Sequence, residues 1–483
     1  MLSFFRINDP YRLLVIFFLL LLLRVPVFIS DALLTLPELN YMLVGERISG
    51  DSRLYADVWD SMPPLSALVY AFIDFLFGRS QLAYQIIAYI LVCYQVFVFN
   101  TLLLRSKAYG ENSYVPALIY GVLMTVCYDM VTLTPFLIGL TFILLALRNI
   151  FNHIEVRAKR DEDILNIGLF VGLATITYLP FAIFAICTLI IFVLFTGTVP
   201  RRYILMTFGF FLPFLISGSY YYLTDRLPEF LYNFFAPFSV IERVWYITLK
   251  DTLRLFIAPM AFLLLAILRF MQGARLTNYQ FRLAQTIFVW LVASIIFIMI
   301  SDQNSPAVYL VLVPPIAFYI SHYFVMKNRG FLAEFSFALF AGLCVATYFF
   351  ASTDSWLKAY YDDSHYLVKK EAYPALEGKK VLVLAENLNP YYKAQQTTPF
   401  LSWQLSEPVF NQLNYYDNLT IIYDGITKGR PEVIIDPQRV MPDVFDMIPA
   451  LQNLYKTNSD GTYRLIESAG DLPNASGMAT SLK

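Results

Sequence analysis

Four cysteines and three histidines are all that 483 residues contain. Cys93, Cys127, Cys187 and Cys344 each lie in or beside an apolar run, where a thiol behaves as a small hydrophobe, so no disulfide framework is expected. His153 and His322 stand far apart with no partner at metal-ligand spacing and read as structural. No metal centre is therefore assigned, although the use of a divalent ion stays open. Charge is also scarce, at 15% of residues with a net of −1, which excludes the cationic footprint that nucleic-acid binding needs. Neither a glycine-rich phosphate loop nor a repeat of fixed period is present.

What fills the chain is apolar. Hydrophobic residues make up 58%, aromatics 17%, and the mean hydropathy is +0.58, values that describe a polytopic α-helical membrane protein rather than a soluble domain. Apolar windows of spanning length fall at about eleven places: 13–29, 83–104, 113–128, 132–147, 165–181, 183–199, 203–222, 255–268, 285–300, 306–326 and 333–351. The first lacks a small-residue cleavage site and contains Arg24, so a retained span is expected. Cationic residues should collect in short cytoplasmic loops. With a cytoplasmic N-terminus the inner segments hold fifteen: Arg6, Arg12, Arg105, Lys107, Arg148, Arg157, Lys159, Arg160, Arg201, Arg202, Arg269, Arg275, Arg282, Lys327 and Arg329. The outer loops hold seven: Arg47, Arg53, Arg79, Arg226, Arg243, Lys250 and Arg254.

This bookkeeping requires that Pro64 to Phe77, short and carrying Asp74, lie along the outer interface without crossing. It also divides the chain into a membrane region, 1–351, and an outer tail, 352–483, where Asp, Glu, Lys, Asn and Pro replace the apolar runs. Lys380 to Ala385 (KVLVLA) and Glu432 to Asp436 (EVIID) read as buried strands. Helical spacing recurs over Asp417 to Thr427 and over Met441 to Tyr455. A small α/β domain with a short parallel sheet and covering helices is expected.

The first outer loop, 31–82, concentrates the carboxylates Glu38, Glu46, Asp51, Asp57, Asp60 and Asp74. Tyr41, Tyr55 and Trp59 are the aromatics expected of a segment docked at headgroup depth, and Pro63-Pro64 stiffens the chain before the short helix. The order of Glu38, Tyr41, Gly50, Tyr55, Asp57, Trp59, Asp60, Pro63, Pro64, Leu65, Phe77 and Gly78 resembles the first periplasmic or lumenal loop of the GT-C superfamily. These glycosyltransferases use polyprenyl-phosphate sugars and include the protein mannosyltransferases and the lipid A aminoarabinose transferases. The match is specific over about forty residues, and the spans and tail extend it loosely over the rest. It departs from the pattern at Pro37, where the family usually has a catalytic aspartate, and at Met62, where it often has a lysine.

The resemblance implies sugar transfer from a polyprenyl-phosphate donor to a lipid, glycan or protein acceptor at the outer face of a membrane, expected to be a bacterial inner membrane with the tail periplasmic. Such a reaction needs a carboxylate for the acceptor proton and cations for the departing phosphate. Glu38 is the carboxylate adjacent to Pro37, with Asp57 and Asp60 in the same loop. Asp129, at the outer end of the third window, reads either as a further base or as a helix-end residue. Arg243 and Arg254, in the outer loop from Leu223 to Arg254, are the candidate phosphate ligands, because the guanidinium fork makes paired charge-assisted bonds. Beyond the lipid-linked donor and membrane lipids, a protein partner is expected only under the rival reading favoured by Pro37, in which the chain keeps the fold as a catalytically inactive subunit or scaffold. A transporter is the third alternative.

Overall fold

In the computed structural model, all residues are described except 30–32, 156–159, 198, 240, 273–275, 327–329, 353–364, 371, 459–460 and 467–483. Arg157, Lys159, Arg275, Lys327 and Arg329 of the charge tally lie outside the described residues. The chain opens with α1 (Leu2–Phe5) and α2 (Tyr11–Ile29), which carries a fully buried Arg24. The first outer loop then folds as two helices, α3 (Leu36–Ser49) and α4 (Pro64–Phe77). Thr35 caps α3, its hydroxyl accepting from the Glu38 amide at 3.2 Å, and Pro37 occupies the first turn, where no amide donor is needed. The helices cross so closely at Gly45 that a Cβ there would lie 2.9 Å from the Tyr70 backbone.

Next come α5 (Gln81–Arg105), α6 (Val115–Leu123), α7 (Pro135–Glu155), α8 (Asp161–Thr177), α9 (Ile183–Ile191) and α10 (Pro200–Leu223). The segment after α10 holds α11 (Leu227–Ser239), β1 (Val244–Trp245) and α12 (Leu249–Leu255). It leads to α13 (Ile257–Met271), α14 (Asn278–Ile300), β2 (Gln303–Asn304), α15 (Val313–Met326) and α16 (Phe331–Ser352).

Among the described residues, seven helical stretches are long and apolar enough to cross a membrane, and α12 with α13, bent by 69°, would make an eighth. About eleven were expected. The window 113–128 holds the nine-residue α6, whose helical part rises roughly 14 Å, about half of a hydrocarbon core. Helices α8 and α10 pack backbone to backbone: a Cβ on Gly168 would fall 2.0 Å from the Met206 carbonyl oxygen and one on Gly209 2.4 Å from that of Leu165. Gly168 and Gly172 are four residues apart on α8, the spacing of small residues that lets membrane helices approach backbone to backbone.

The tail forms a five-stranded sheet, β3 (Lys380–Val383), β4 (Gln395–Gln396), β5 (Val433–Ile435), β6 (Tyr455–Thr457) and β7 (Thr462–Leu465), in the order β4-β3-β5-β7-β6. It is mixed, not wholly parallel: β3 pairs parallel with β4 and β5, while β7 is antiparallel to β5 and β6. Helices α17 (Trp403–Asn411), α18 (Tyr416–Gly429), α19 (Met441–Met447) and α20 (Pro449–Gln452) accompany it. The helix expected over Met441 to Tyr455 therefore breaks at Ile448-Pro449 and ends in a strand. Leu382, Leu384, Phe400, Ile422, Ile434 and Val444 belong to a second core beside the membrane-region core.

Trp59 joins the first outer loop to this tail. Its amide donates to the Pro399 carbonyl at 2.8 Å, its carbonyl accepts from the Ser402 amide at 3.1 Å, and its ring meets Phe400 edge-on at 5.4 Å. Tyr41 and Tyr55 are buried. The three aromatics expected at headgroup depth thus pack within the protein.

Candidate active site

Between the first outer loop and the tail lies a cavity of about 570 Å³. Helix α3 contributes Pro37, Asn40 and Tyr41, and the link to α4 contributes Asp60, Met62 and Pro63. The rest of the lining comes from Arg243, Trp245 and Asp302 around the β1-β2 pair, and from His365, Lys369 and Glu386 of the tail side. Strands β1 and β2 run parallel, with the Val244 amide donating to the Asp302 carbonyl at 2.8 Å, so Arg243 and Asp302 are held side by side.

Asp60 is 5% exposed. Its Oδ2 accepts from Asn40 Nδ2 at 2.9 Å and its Oδ1 from the Met62 amide at 2.7 Å. Burial pushes its carboxyl up to about 6, against the pull of these two bonds, and the charge of Asp302 adds to the rise. Burial also raises Asp302, while the Tyr178 hydroxyl donates to its carboxylate and the Arg243 charge favours its ionised form. Arg243 donates through Nη1 to the Met299 carbonyl and through Nη2 to the Ile298 carbonyl, both at 3.1 Å, and its guanidinium lies 4.6 Å from the Trp245 ring centre. The two carbonyls belong to the last turn of α14, which lacks helical partners and carries partial negative charge. The end of α14 therefore anchors the cation at the cavity wall.

The other candidates lie elsewhere. Glu38 is buried with its carboxylate accepting from the Thr132 hydroxyl at 2.6 Å; burial pushes it up to about 7. It does not line the cavity, although Pro37 does. Asp129 is buried as well, its Oδ2 accepting from the Tyr366 hydroxyl at 2.6 Å and the Ala307 amide at 2.7 Å. Asp57 pairs with Arg53 at 2.8 Å and borders a smaller cleft of about 280 Å³ beside Arg47 and Lys428. Arg254 pairs with Asp251 at 2.8 Å on α12. Asp60 and Arg243 are brought together; Glu38, Asp57, Asp129 and Arg254 are not. Asp302, Lys369 and Glu386 join the cavity without having been singled out. Asp302 had one signal, a carboxylate two residues after the apolar window 285–300. Among the described residues no group of three or more His, Cys, Asp or Glu is arranged to hold a metal ion.

No protein-family model and no curated protein matches the sequence. The structure is similar to that of ArnT, an aminoarabinose transferase from Cupriavidus metallidurans solved with undecaprenyl phosphate, with a TM-score of 0.59 at 13% identity over 96% of this chain and 100% of that one. The apo state of the same protein gives 0.57 at 13% identity, over 95% of this chain and 99% of that one. The chain shares its fold with these ArnT structures, which belong to the GT-C superfamily. Within this fold the motif residues of the segment 31–82 are largely structural. The Tyr55 hydroxyl donates to the Met62 carbonyl at 2.8 Å, Trp59 docks on the tail, and between them the loop holds Asp60 at the cavity.

Proposed function

We propose that the protein transfers a sugar from a polyprenyl-phosphate donor to an acceptor hydroxyl or amine in the cavity bounded by Asp60, Asp302 and Arg243. The observation that carries this reading is the meeting of a raised carboxyl and an anchored guanidinium in one cavity of about 570 Å³, within the usual size range of small-molecule sites. Asp60, when ionised, takes the acceptor proton as the acceptor atom bonds to the anomeric carbon. The bond from that carbon to the phosphate oxygen breaks, and the polyprenyl phosphate leaves with its new charge beside Arg243. Asp302 is a further carboxylate of the same cavity. The GT-C fold and the ArnT likeness support a lipid-phosphate donor; the acceptor is a lipid, glycan or protein.

The same reading places the loop 31–82 and the tail on the outer, periplasmic side of a bacterial inner membrane. Eleven crossing segments remain part of it, with α2, α6 and α8 added to the stretches of spanning length. A second reading, an inactive scaffold, is favoured by Pro37 standing at the cavity wall while the Glu38 carboxylate turns to Thr132.

The deciding experiment uses protein in lipid nanodiscs with a panel of radiolabelled polyprenyl-phosphate sugars, reading release of polyprenyl phosphate. Turnover of one donor, lost on the order of 10²–10⁴-fold in Asp60→Asn and weakened in Arg243→Ala, is the expected result. A cavity that turns over no donor, together with an Asp60→Asn gene that fully complements its deletion strain, selects the scaffold.

A further inference from the structure

Residues 365–369 lie along the start of α3 as an extended segment. The Leu36 amide donates to the Tyr366 carbonyl at 2.9 Å, the Val368 amide donates to the Leu34 carbonyl at 2.8 Å, and Thr35 bridges Leu367 in antiparallel fashion. Successive side chains of an extended segment point to opposite faces. Tyr366 and Val368 are accordingly buried, whereas His365 and Lys369 are exposed and line the cavity. The buried face ends on Asp129: the Tyr366 hydroxyl donates to its Oδ2 at 2.6 Å, and the Tyr366 ring lies 5.5 Å from that of Tyr246. The far end is pinned where the Lys369 amide donates to Asn389 Oδ1 at 2.8 Å.

This geometry gives Lys369 a fixed place and an uncommitted charge, since its ammonium makes no ion pair among the described residues. Arg243, by contrast, already spends both terminal nitrogens on carbonyls of α14. A departing phosphate monoester carries more charge than one committed guanidinium neutralises, and a lysine lining the same cavity serves as a point charge for it.

We propose that Lys369 is a second phosphate-binding cation of the cavity and that Asp129 is a positioning residue, holding Lys369 in place through Tyr366 without touching the substrate. The proposal rests on the lipid-phosphate reading above and adds the residue and the strut that serve it. It also gives a buried carboxylate outside the cavity a defined task.

The test measures binding of undecaprenyl phosphate to nanodisc-embedded protein by native mass spectrometry, and donor turnover on the same samples. Lys369→Ala is expected to weaken binding about tenfold, which corresponds to ~1.4 kcal/mol, and Lys369→Arg to recover most of it. Tyr366→Phe removes only the hydroxyl and should weaken binding about threefold to tenfold. Asp129→Asn keeps an oxygen that accepts the same two bonds and should hold undecaprenyl phosphate within about threefold of wild type. Binding unchanged in Lys369→Ala but weakened in Arg243→Ala overturns this proposal and leaves the transferase reading standing. Wild-type protein that does not bind undecaprenyl phosphate overturns the transferase reading and this proposal with it. Asp129→Asn with intact binding and kcat lost a hundredfold or more would make Asp129 a proton acceptor and overturn the positioning role, as would Tyr366→Phe indistinguishable from wild type.

Discussion

Neighbouring residues on a helix point about 100° apart, and that rotation decides which acid of the first outer loop meets the cavity. Pro37 lies on the cavity side of α3, so Glu38 faces Thr132. The sequence could nominate a carboxylate next to Pro37 but not its direction, which depends on how α3 rolls against α4 and the tail. Asp60 and Arg243 were legible because both are charged residues in outer segments. Asp302 was not, because nothing in Ser301 to Asn304 says that β2 pairs with β1. The roles now divide by pH. With its carboxyl at about 6, Asp60 is ionised above that value, so donor turnover should rise as pH increases through about 6 and level off beyond it. Asp60→Asn should remove that limb of the profile. Glu38 acts on stability. Its carboxyl lies at about 7 in the folded protein against 4.5 for the ordinary group, so between those values the native state keeps a proton that the unfolded chain has released. Stability contributed at this site therefore falls as pH rises through that window. Glu38→Gln should raise Tm at pH 8, with the gain shrinking towards pH 5 in scanning fluorimetry; a lower Tm at pH 8 would contradict the burial argument.

Elements show the same division between pattern and packing. Helix α4 matches the segment Pro64 to Phe77 read from the sequence, because Pro-Pro starts it and Gly78, at φ 62°, ends it. Leu68, Phe72, Phe75 and Leu76 are exposed at i, i+4, i+7 and i+8, the stripe of an interfacial helix. Phe72→Trp should be quenched by lipids brominated near the headgroup and spared by those brominated near the bilayer midplane; the reverse would make α4 a span. The short α6 was illegible because a hydropathy window registers apolarity, not where backbone bonding stops. The antiparallel β6-β7 pair was hidden in YKT and TYRL, too short and polar to read as strands. Glycine spacing carried a packing signal that hydropathy ignores. Gly168→Leu places a side chain where the Met206 carbonyl stands, and overpacking of this kind typically costs about 1–3 kcal/mol or more. A lowered Tm and loss of the α8-α10 contact, read by disulfide trapping of paired cysteines, are expected.

At the scale of the molecule, segments expected on the same side meet each other. The Met1 amino group pairs with Glu334 at 2.8 Å, Tyr114 donates from its amide to Phe5 at 2.8 Å, Gln280 Nε2 donates to the Lys107 carbonyl at 3.0 Å, and Arg202 pairs with Asp161 at 3.0 Å. Six of the eight belong to segments assigned to the cytoplasm, and Tyr114 and Glu334 stand at the cytoplasmic ends of the windows 113–128 and 333–351. At the other end Trp59 meets Pro399, Thr35 meets Leu367 and Arg79 donates to the Ala394 carbonyl at 3.4 Å, contacts among segments assigned outside. The parity read from charge requires partners of this kind at each end. Which end faces the cytoplasm rests on the cationic excess of the first group. A cysteine placed at Asn458, in the β6-β7 hairpin, should react with an impermeant maleimide added to intact spheroplasts, and one placed at Arg160, before α8, should react only after lysis. The background is small, because Cys127, Cys187 and Cys344 are buried; replacing Cys93 by serine removes the half-buried one. Labelling of Arg160→Cys in intact spheroplasts, with Asn458→Cys protected, would invert the molecule and place the Asp60 cavity on the cytoplasmic side, where the acceptor would have to be sought instead.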